Sequence, residues 1–323
     1  MILNPRPKGE GFCYLRAMQT VLITGGTGMV GQALTNTLIE KGYEVIVLTR
    51  TPKRSSRLQL SYAEWDVKNQ YIDPAAIKKA TIIVHLAGES VASKRWTTKR
   101  KQEIIDSRVQ TGQLLAKVLQ ENKHQVHTFI SASAIGWYGP DNEKSRDQGF
   151  SETDPMDNSY LGTTCGLWES STDSIKVLGI RHIVLRIGIV LNKRGGALAE
   201  FVKPAKFGLA TILGKGNQIV SWIHQIDLCN IILFAIENKQ IEGIYNAVAP
   251  NPVSNKELTL TVASKYFKHH LNINVPVFIL KIMLGEMSIE VLKSAKVSSK
   301  KIQTSGFEFK YAQIQEAISS LLP

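Results

Sequence analysis

A chain of 323 residues that is 43% hydrophobic and 20% charged can bury a sizeable core, which excludes fibrous and disordered classes; no apolar run approaches the roughly 18 residues of a membrane span. Its three cysteines, Cys13, Cys165 and Cys229, are odd in number and in no CxxC pattern, which argues against a disulfide framework or a metal site and fits a reducing cytoplasm. The formal charge of +12 comes with only 7% aromatic residues and no helix-turn-helix or RNA-binding signature, so nucleic acid is not expected, while a lysine-rich surface and attraction of anionic small molecules both stay open.

Residues 1–17 interleave Pro5, Pro7, Gly9 and Gly11 with scattered charges and lack the apolar stretch of a secretory signal. They read as an extension ahead of a natural start near Met18. From residue 19 to 189 short β-branched runs alternate with longer amphipathic stretches, the pattern of a parallel sheet wrapped by crossover helices. Strands are expected at 19–24, 44–49, 81–87, 127–133 and 182–187, several apolar throughout as strands covered on both faces should be. Helices are expected at 30–41, 97–121 and 161–178, two of them closed by Gly42 and Gly179. The fold class is therefore α/β, a Rossmann-like doubly wound parallel sheet.

The first strand runs into Gly25-Gly26-Thr27-Gly28-Met29-Val30-Gly31 and then a helix. Glycines at 25, 28 and 31 permit a tight turn, let backbone amides approach a pyrophosphate and let the helix pack close on the strand. The helix N-terminus adds partial positive charge. Gly25, Thr27, Gly28, Met29 and Val30 are the expected phosphate-side contacts; an ordinary tight turn is the competing reading. At the end of the second strand a carboxylate would favour NAD(H). The chain instead reads Thr49-Arg50-Thr51-Pro52-Lys53-Arg54, so NADP(H) is expected ahead of NAD(H), with Arg50 on the 2′-phosphate. A solvated basic loop is the alternative. Asp66 is placed beside the adenine, and Leu86, Ala87, Gly88 and Glu89 along the cofactor at the end of the strand ending near 87.

After Arg186 the pattern is interrupted by Gly195, Gly196, Gly208, Gly214 and Gly216. The expected organisation is an extension at 1–17, a dinucleotide-binding domain at 18–190, and at 191–323 mainly a substrate-binding lobe with a small C-terminal domain, some segments returning to the sheet. The run Lys94-Arg95-Trp96-Thr97-Thr98-Lys99-Arg100-Lys101 is either an anion clamp or a charged helix start with Trp96 packed inward. Asp227 is expected to cap the helix that follows it, His224 to be a packed residue, Glu89 and Glu169 to be solvated, and Arg186 to carry no chemistry.

With these residues in view, the chain resembles the extended short-chain dehydrogenase/reductases, and among them the atypical SDR39U1-like branch of NAD(P)-dependent epimerases. The pieces that carry the resemblance are Thr24-Gly25-Gly26-Thr27-Gly28, His85-Leu86-Ala87-Gly88-Glu89, Lys94-Arg95-Trp96-Thr97, Ser107-Arg108, Ser131-Ala132-Ser133-Ala134-Ile135-Gly136-Trp137-Tyr138-Gly139, Trp168-Glu169, Gly195-Gly196-Ala197-Leu198, Ser221-Trp222-Ile223-His224 and Asn246-Ala247-Val248-Ala249-Pro250. The tail at 291–309 looks like the small C-terminal domain of that branch. In the wider superfamily a Ser or Thr at a strand end acts with a Tyr-x-x-x-Lys pair, the lysine binding ribose hydroxyls and lowering the tyrosine pKa. The resemblance puts Ser133 in the serine place. Tyr160 starts the right helix, but Thr164 stands where the pattern has lysine, and Tyr138 is a second phenol for the same cleft.

The resemblance implies an NADP(H)-dependent oxidoreductase or nucleotide-sugar epimerase-like enzyme, with Ser133, Tyr138 and Tyr160 as its catalytic candidates. Its substrate is expected to be a small molecule, a nucleotide sugar or another anionic carbonyl or hydroxyl compound, and a homodimer is compatible. The alternative is a protein that binds NADPH without turnover, a sensor or scaffold lacking the Tyr-x-x-x-Lys pair.

Overall fold

In the computed structural model, residues 19–193 and 195–323 are described, so the expected extension at 1–17 lies outside the described residues. β1 (Thr20–Thr24) leads through the glycine turn into α1 (Met29–Glu40), followed by β2 (Glu44–Thr49), β3 (Leu60–Asp66), β4 (Tyr71–Ile72), α2 (Pro74–Lys79) and β5 (Ile82–His85). Next come α3 (Thr98–Glu121), β6 (Thr128–Ala134), α4 (Glu143–Gln148), α5 (Tyr160–Ser170), β7 (Arg181–Ile187) and β8 (Ile189–Leu191). The remainder holds α6 (Ala197–Ala205), β9 (Leu209–Leu213), β10 (Ile219–Val220), β11 (Trp222–His224), α7 (Gln225–Glu237), β12 (Gly243–Ala247), β13 (Val253–Ser254), α8 (Asn255–Ser264) and β14 (Leu271–Val275). It ends with α9 (Val277–Leu284), α10 (Ser288–Leu292), α11 (Lys300–Thr304) and α12 (Ile314–Leu321).

The main sheet runs β12-β7-β6-β5-β1-β2-β3-β4, parallel except for the β3–β4 pair. From β1 the chain winds outward through β2 to β3, then crosses back to β5 and winds the other way. The order therefore reverses between β1 and β5, and that reversal opens a crevice at the carboxyl ends of the strands. Alternate residues of the strands feed two cores. Val21, Ile23, Val45 and Val47 pack with Leu34 and Leu38 of α1 and with Leu228, Ile231 and Ile232 of α7. Leu22, Ile46, Leu48 and Ile83 pack on the other face with Ile77 of α2 and Leu114, Leu115 and Leu119 of α3. Each buried aliphatic side chain contributes about 1.5–3 kcal/mol.

Within 191–323, β12 pairs with β7 and α7 packs on α1, so both belong to the main layers. Ile302 of α11 and Phe307 join that main core too, while much of the rest surrounds a separate core of Leu198, Trp222, Leu258, Val262, Ile314 and Ile318, with short sheets β8–β11, β10–β13 and β9–β14. Among the described residues no helix is long and apolar enough to cross a membrane.

Three elements differ from expectation for local reasons. β3 was not among the expected strands because it is half exposed, with Ser61 and Glu64 facing solvent. β5 stops at His85 because the next two amides, of Leu86 and Ala87, donate to Thr24 Oγ1, each at 3.1 Å. The helix expected to reach 178 stops at Ser170: the hydroxyls of Ser171 and Thr172 donate back to the Trp168 and Glu169 carbonyls at 2.7 and 3.1 Å, and a 3-10 turn follows over Asp173–Leu178.

Candidate functional site

The turn between β1 and α1 is shaped for something other than side chains. Gly25 has φ +68°, and a Cβ there would stand 2.7 Å from the Leu86 carbonyl oxygen; a Cβ on Gly31 would collide with the Gly25 carbonyl. Gly28, at the N-cap of α1, offers no side-chain cap, so the first amides of the helix are left without intrahelical partners. Thr27 and Gly28 are exposed, and Met29 and Val30 half-buried, so this end of the helix is open.

Beneath the turn Thr24 Oγ1 accepts from two amides and therefore gives its one proton to His85 Nδ1, 2.7 Å away. This leaves the His85 Nε2 proton directed to Thr111 Oγ1 at 3.4 Å, and Thr111 in turn donates to the Arg108 carbonyl at 2.9 Å. Burial drives the His85 pKa down to about 3, so the ring is a neutral strut between β1, β5 and α3.

At the end of β2, Arg50 is exposed, as are Lys53 and Arg54, and Lys53 lies 5.1 Å from the Tyr62 ring centroid. No carboxylate stands between 50 and 58. Asp66, expected beside an adenine, uses both oxygens on its own turn, accepting from Asn69 N at 3.1 Å and Asn69 Nδ2 at 2.7 Å. These bonds hold its carboxyl below the usual range.

The end of β6 carries a closed polar cluster. Ser133, 2% exposed, donates to Glu169 Oε1 at 2.6 Å; Glu169 forms a two-pronged ion pair with Arg186 at 2.9 and 3.0 Å. Arg186 Nη1 donates to the Tyr138 hydroxyl at 3.1 Å, and that hydroxyl donates to Asn246 Oδ1 at 2.7 Å. Arg186 also lies 3.7 Å from the Trp137 ring centroid. Glu169 is thus a buried, paired carboxylate and not a solvated one, and Arg186 is the centre of the cluster. Tyr138 has no exposed surface, its ring is stacked on Phe150, and burial pushes its pKa up to about 12. Those facts remove it from the proton-transfer role expected of it, because a phenol with no exposed surface and a raised pKa is a poor proton carrier at neutral pH.

Tyr160 stands apart from that cluster at the head of α5. It is half-buried, donates to the Lys101 carbonyl at 3.0 Å, and packs edge-on to Trp96 with centroids 4.9 Å apart. Burial, the largest influence on it, raises its pKa. Thr164, one turn on, is 2% exposed and donates to the Tyr160 carbonyl at 2.7 Å.

The cationic run before and into α3 divides. Arg100, 6% exposed, binds Glu89, Glu103, the Ser90 carbonyl and Ser93 Oγ, and so ties down the loop after β5. Lys101 pairs with Glu286 at 2.9 Å, and Trp96 is buried with its indole donating to the Val91 carbonyl. Only Lys94, Arg95 and Lys99 are left as surface cations in this run, and a Cβ on Gly285 would sit 2.7 Å from Arg95 Nε. Asp227 does not cap α7: His224 Nδ1 does, accepting from Ile226, while both Asp227 oxygens accept from the amides of Lys310 and Tyr311 at 2.9 Å.

One residue at the crevice went without a role in the sequence reading. Arg108 of α3 reaches the end of β5, where a Cβ on Gly88 would stand 3.1 Å from its Cζ, and lies 4.9 Å from the Trp168 ring centroid. Ser107-Arg108 was visible as a family fragment, but nothing local distinguishes it from a surface helix position.

This geometry has counterparts in known proteins. The NAD dependent epimerase/dehydratase family matches residues 21–247, and a domain of unknown function, DUF1731, matches 275–321. Epimerase family protein YfhF of Bacillus subtilis is 35% identical over 302 residues, 94% of this chain and 97% of that protein. Epimerase family protein SSP1921 of Staphylococcus saprophyticus is 35% identical over 305 residues, covering 94% of this chain and all of that protein. Among solved structures, the human epimerase family protein SDR39U1 with NADPH superposes with a TM-score of 0.82 at 26% identity, covering 94% of this chain and 99% of that one. The nucleoside-diphosphate sugar epimerase from Corynebacterium glutamicum gives a TM-score of 0.74 at 32% identity over 94% of this chain and 58% of its own.

Proposed function

Because the chain belongs to the NAD dependent epimerase/dehydratase family, with the two-part architecture of its SDR39U1-like branch, we propose that it is an NADP(H)-dependent oxidoreductase or epimerase acting on a sugar-like hydroxyl. The observation that carries this reading is the uncapped, glycine-built start of α1 at the point where the strand order reverses. The residues fit a dinucleotide. The amides of Thr27, Met29 and Val30 suit a pyrophosphate, and glycine at 25 and 88 lets the Leu86 carbonyl and the Arg108 side chain close in around the turn. Arg50 and its neighbours, with no carboxylate among them, suit a 2′-phosphate. The bound dinucleotide supplies hydride exchange at a carbon that bears the hydroxyl.

The chain's own contribution is to position and to move a proton. Ser133 holds Glu169 in place from within the closed cluster, and Tyr160, the partly accessible phenol, is the residue proposed to exchange the proton. The lobe built on α6, α8 and α12 would close over the substrate, a nucleotide sugar or another anionic hydroxyl or carbonyl compound. Calorimetric titration with NADPH and NADH tests the cofactor assignment. NADPH should bind more tightly, and Arg50→Ala should erase the preference; equal binding in both proteins would reject the role of Arg50.

A second reading is favoured by one observation: the Ser133 and Tyr138 hydroxyls are both taken up by internal partners, and Thr164 replaces the lysine. That arrangement suits a protein that binds NADPH without turnover. Binding of NADPH together with no turnover on a panel of nucleotide sugars and carbonyls would favour it.

A further inference from the structure

The lysine missing from α5 leaves a specific vacancy in chemistry. In the superfamily pattern it would stand at 164, where Thr164 is buried and hydrogen-bonded to its own helix, so α5 brings no cation to the crevice at that turn. A cation does arrive from the opposite helix. The Arg108 side chain of α3 lies between the end of β5 and α5, against Gly88 and over Trp168, close enough to Tyr160, Cys165 and Glu89 for their charges to act on it.

Its hydrogen bonding is incomplete. Nη1 donates to the Ile104 carbonyl at 2.9 Å and to Ser107 Oγ at 3.4 Å; among the described residues Nε and Nη2 make no hydrogen bond and no carboxylate lies within ion-pair distance. Arg100, two turns earlier on the same helix, shows the contrast, both its terminal nitrogens being engaged, by two carboxylates, the Ser90 carbonyl and Ser93 Oγ. A half-buried guanidinium with free donors and no ion-paired carboxylate, Glu89 acting on it only from beyond ion-pair distance, is available to a ligand. Its main chain is fixed from below, since the Arg108 carbonyl accepts from Thr111, the residue that faces the His85 ring under the glycine turn.

The sheet order tells which ligand group arrives there. With the pyrophosphate at the head of α1 and the adenosine over β2 and β3, the other half of a dinucleotide crosses to β5 and β6. We propose that Arg108 supplies, from α3, the cationic ligand for the ribose diol next to the nicotinamide, in place of the lysine that the superfamily carries on α5. The inference rests on the dinucleotide reading above. A planar fork with two free donors matches two vicinal hydroxyl oxygens as a pair, which a lysine meets with one ammonium. The same charge acts on Tyr160 to favour its ionised form, against the effect of burial.

The test compares two probes on the full chain: NADPH, which spans both halves, and 2′,5′-ADP, which has only the adenosine half. Arg108→Ala should weaken NADPH by about 10- to 100-fold, the loss of a charge-assisted pair of hydrogen bonds, and leave 2′,5′-ADP affinity unchanged. Arg108→Lys should recover part of the NADPH affinity. Retained 2′,5′-ADP binding also reports that the variant is folded. Unchanged NADPH binding in Arg108→Ala, or an equal loss for both probes, overturns the assignment. Wild-type protein that binds neither probe overturns the dinucleotide reading, and this inference with it.

Discussion

The start of α1 and the cluster at the end of β6 lie at the same carboxyl edge of one sheet, and both are rich in polar groups, yet they are opposites. At the start of α1 no side chain caps the helix, and the amides of Met29 and Val30 are left over at a half-buried end. Around Arg186 nearly every donor finds an acceptor inside the protein: Ser133 to Glu169, Arg186 to Glu169 and Tyr138, Tyr138 to Asn246. Residue type alone would rank the second region as the reactive one. Unfinished hydrogen bonding is what points our proposal to the first, together with Arg108, as the ligand site.

Three perturbations separate the two regions. The largest is Arg186→Met, which leaves Glu169 buried without its partner and should lower unfolding free energy by about 3–5 kcal/mol in urea melts. Adding Glu169→Leu to it should recover most of that loss, because both charges are then gone. A single variant as stable as wild type would mean the cluster is not closed.

Acid should act instead on the buried strut beneath the glycine turn. The folded pKa of His85 is about 3 and its unfolded value about 6.5, so below 6.5 the unfolded chain takes up the proton first. Stability from this residue is complete above pH 6.5 and falls by about 1.4 kcal/mol per unit as pH drops towards 3. His182 and His224, each held near 4 by burial, add to the slope. Comparing thermal melts at pH 7 and pH 5, His85→Gln should lose less stability than wild type, by about 2 kcal/mol; an identical loss would count against the neutral strut.

The smallest effect is expected from Tyr138→Phe. It removes one hydroxyl from the closed cluster and should cost about 1–2 kcal/mol of stability by denaturant titration, with NADPH affinity unchanged. A fall in NADPH affinity would join the two regions that the geometry separates.

The glycine turn was legible in the sequence because strand, turn and helix follow within a dozen residues; the collisions at Gly31 and Gly28 involve Gly25 nearby, while the one at Gly25, with the Leu86 carbonyl, is long-range and was not legible. The doubly wound sheet was legible for the same reason, through the apolar runs of β1, β2, β6 and β7. The cluster was not. Tyr138 and Asn246 are 108 positions apart, and nothing near Tyr138 signals that its hydroxyl is occupied. Glu169 and Arg186 are only 17 apart, but one is on a helix and the other on a strand, and spacing alone does not bring them together. β3 was missed as a strand because exposed Ser61 and Glu64, one on each face, interrupt the apolar signal that marked the others.

The return of α7 and β12 to the main layers bears on how the protein is made. A nascent chain that has emerged only as far as β7 already has the glycine turn, but Leu34 and Leu38 of α1 still lack Leu228, Ile231 and Ile232, and β7 has an unpaired edge. Such an edge and an uncovered apolar stripe are sticky. The sheet half therefore completes its core and its edge only when α7 and β12, encoded beyond residue 224, have joined it.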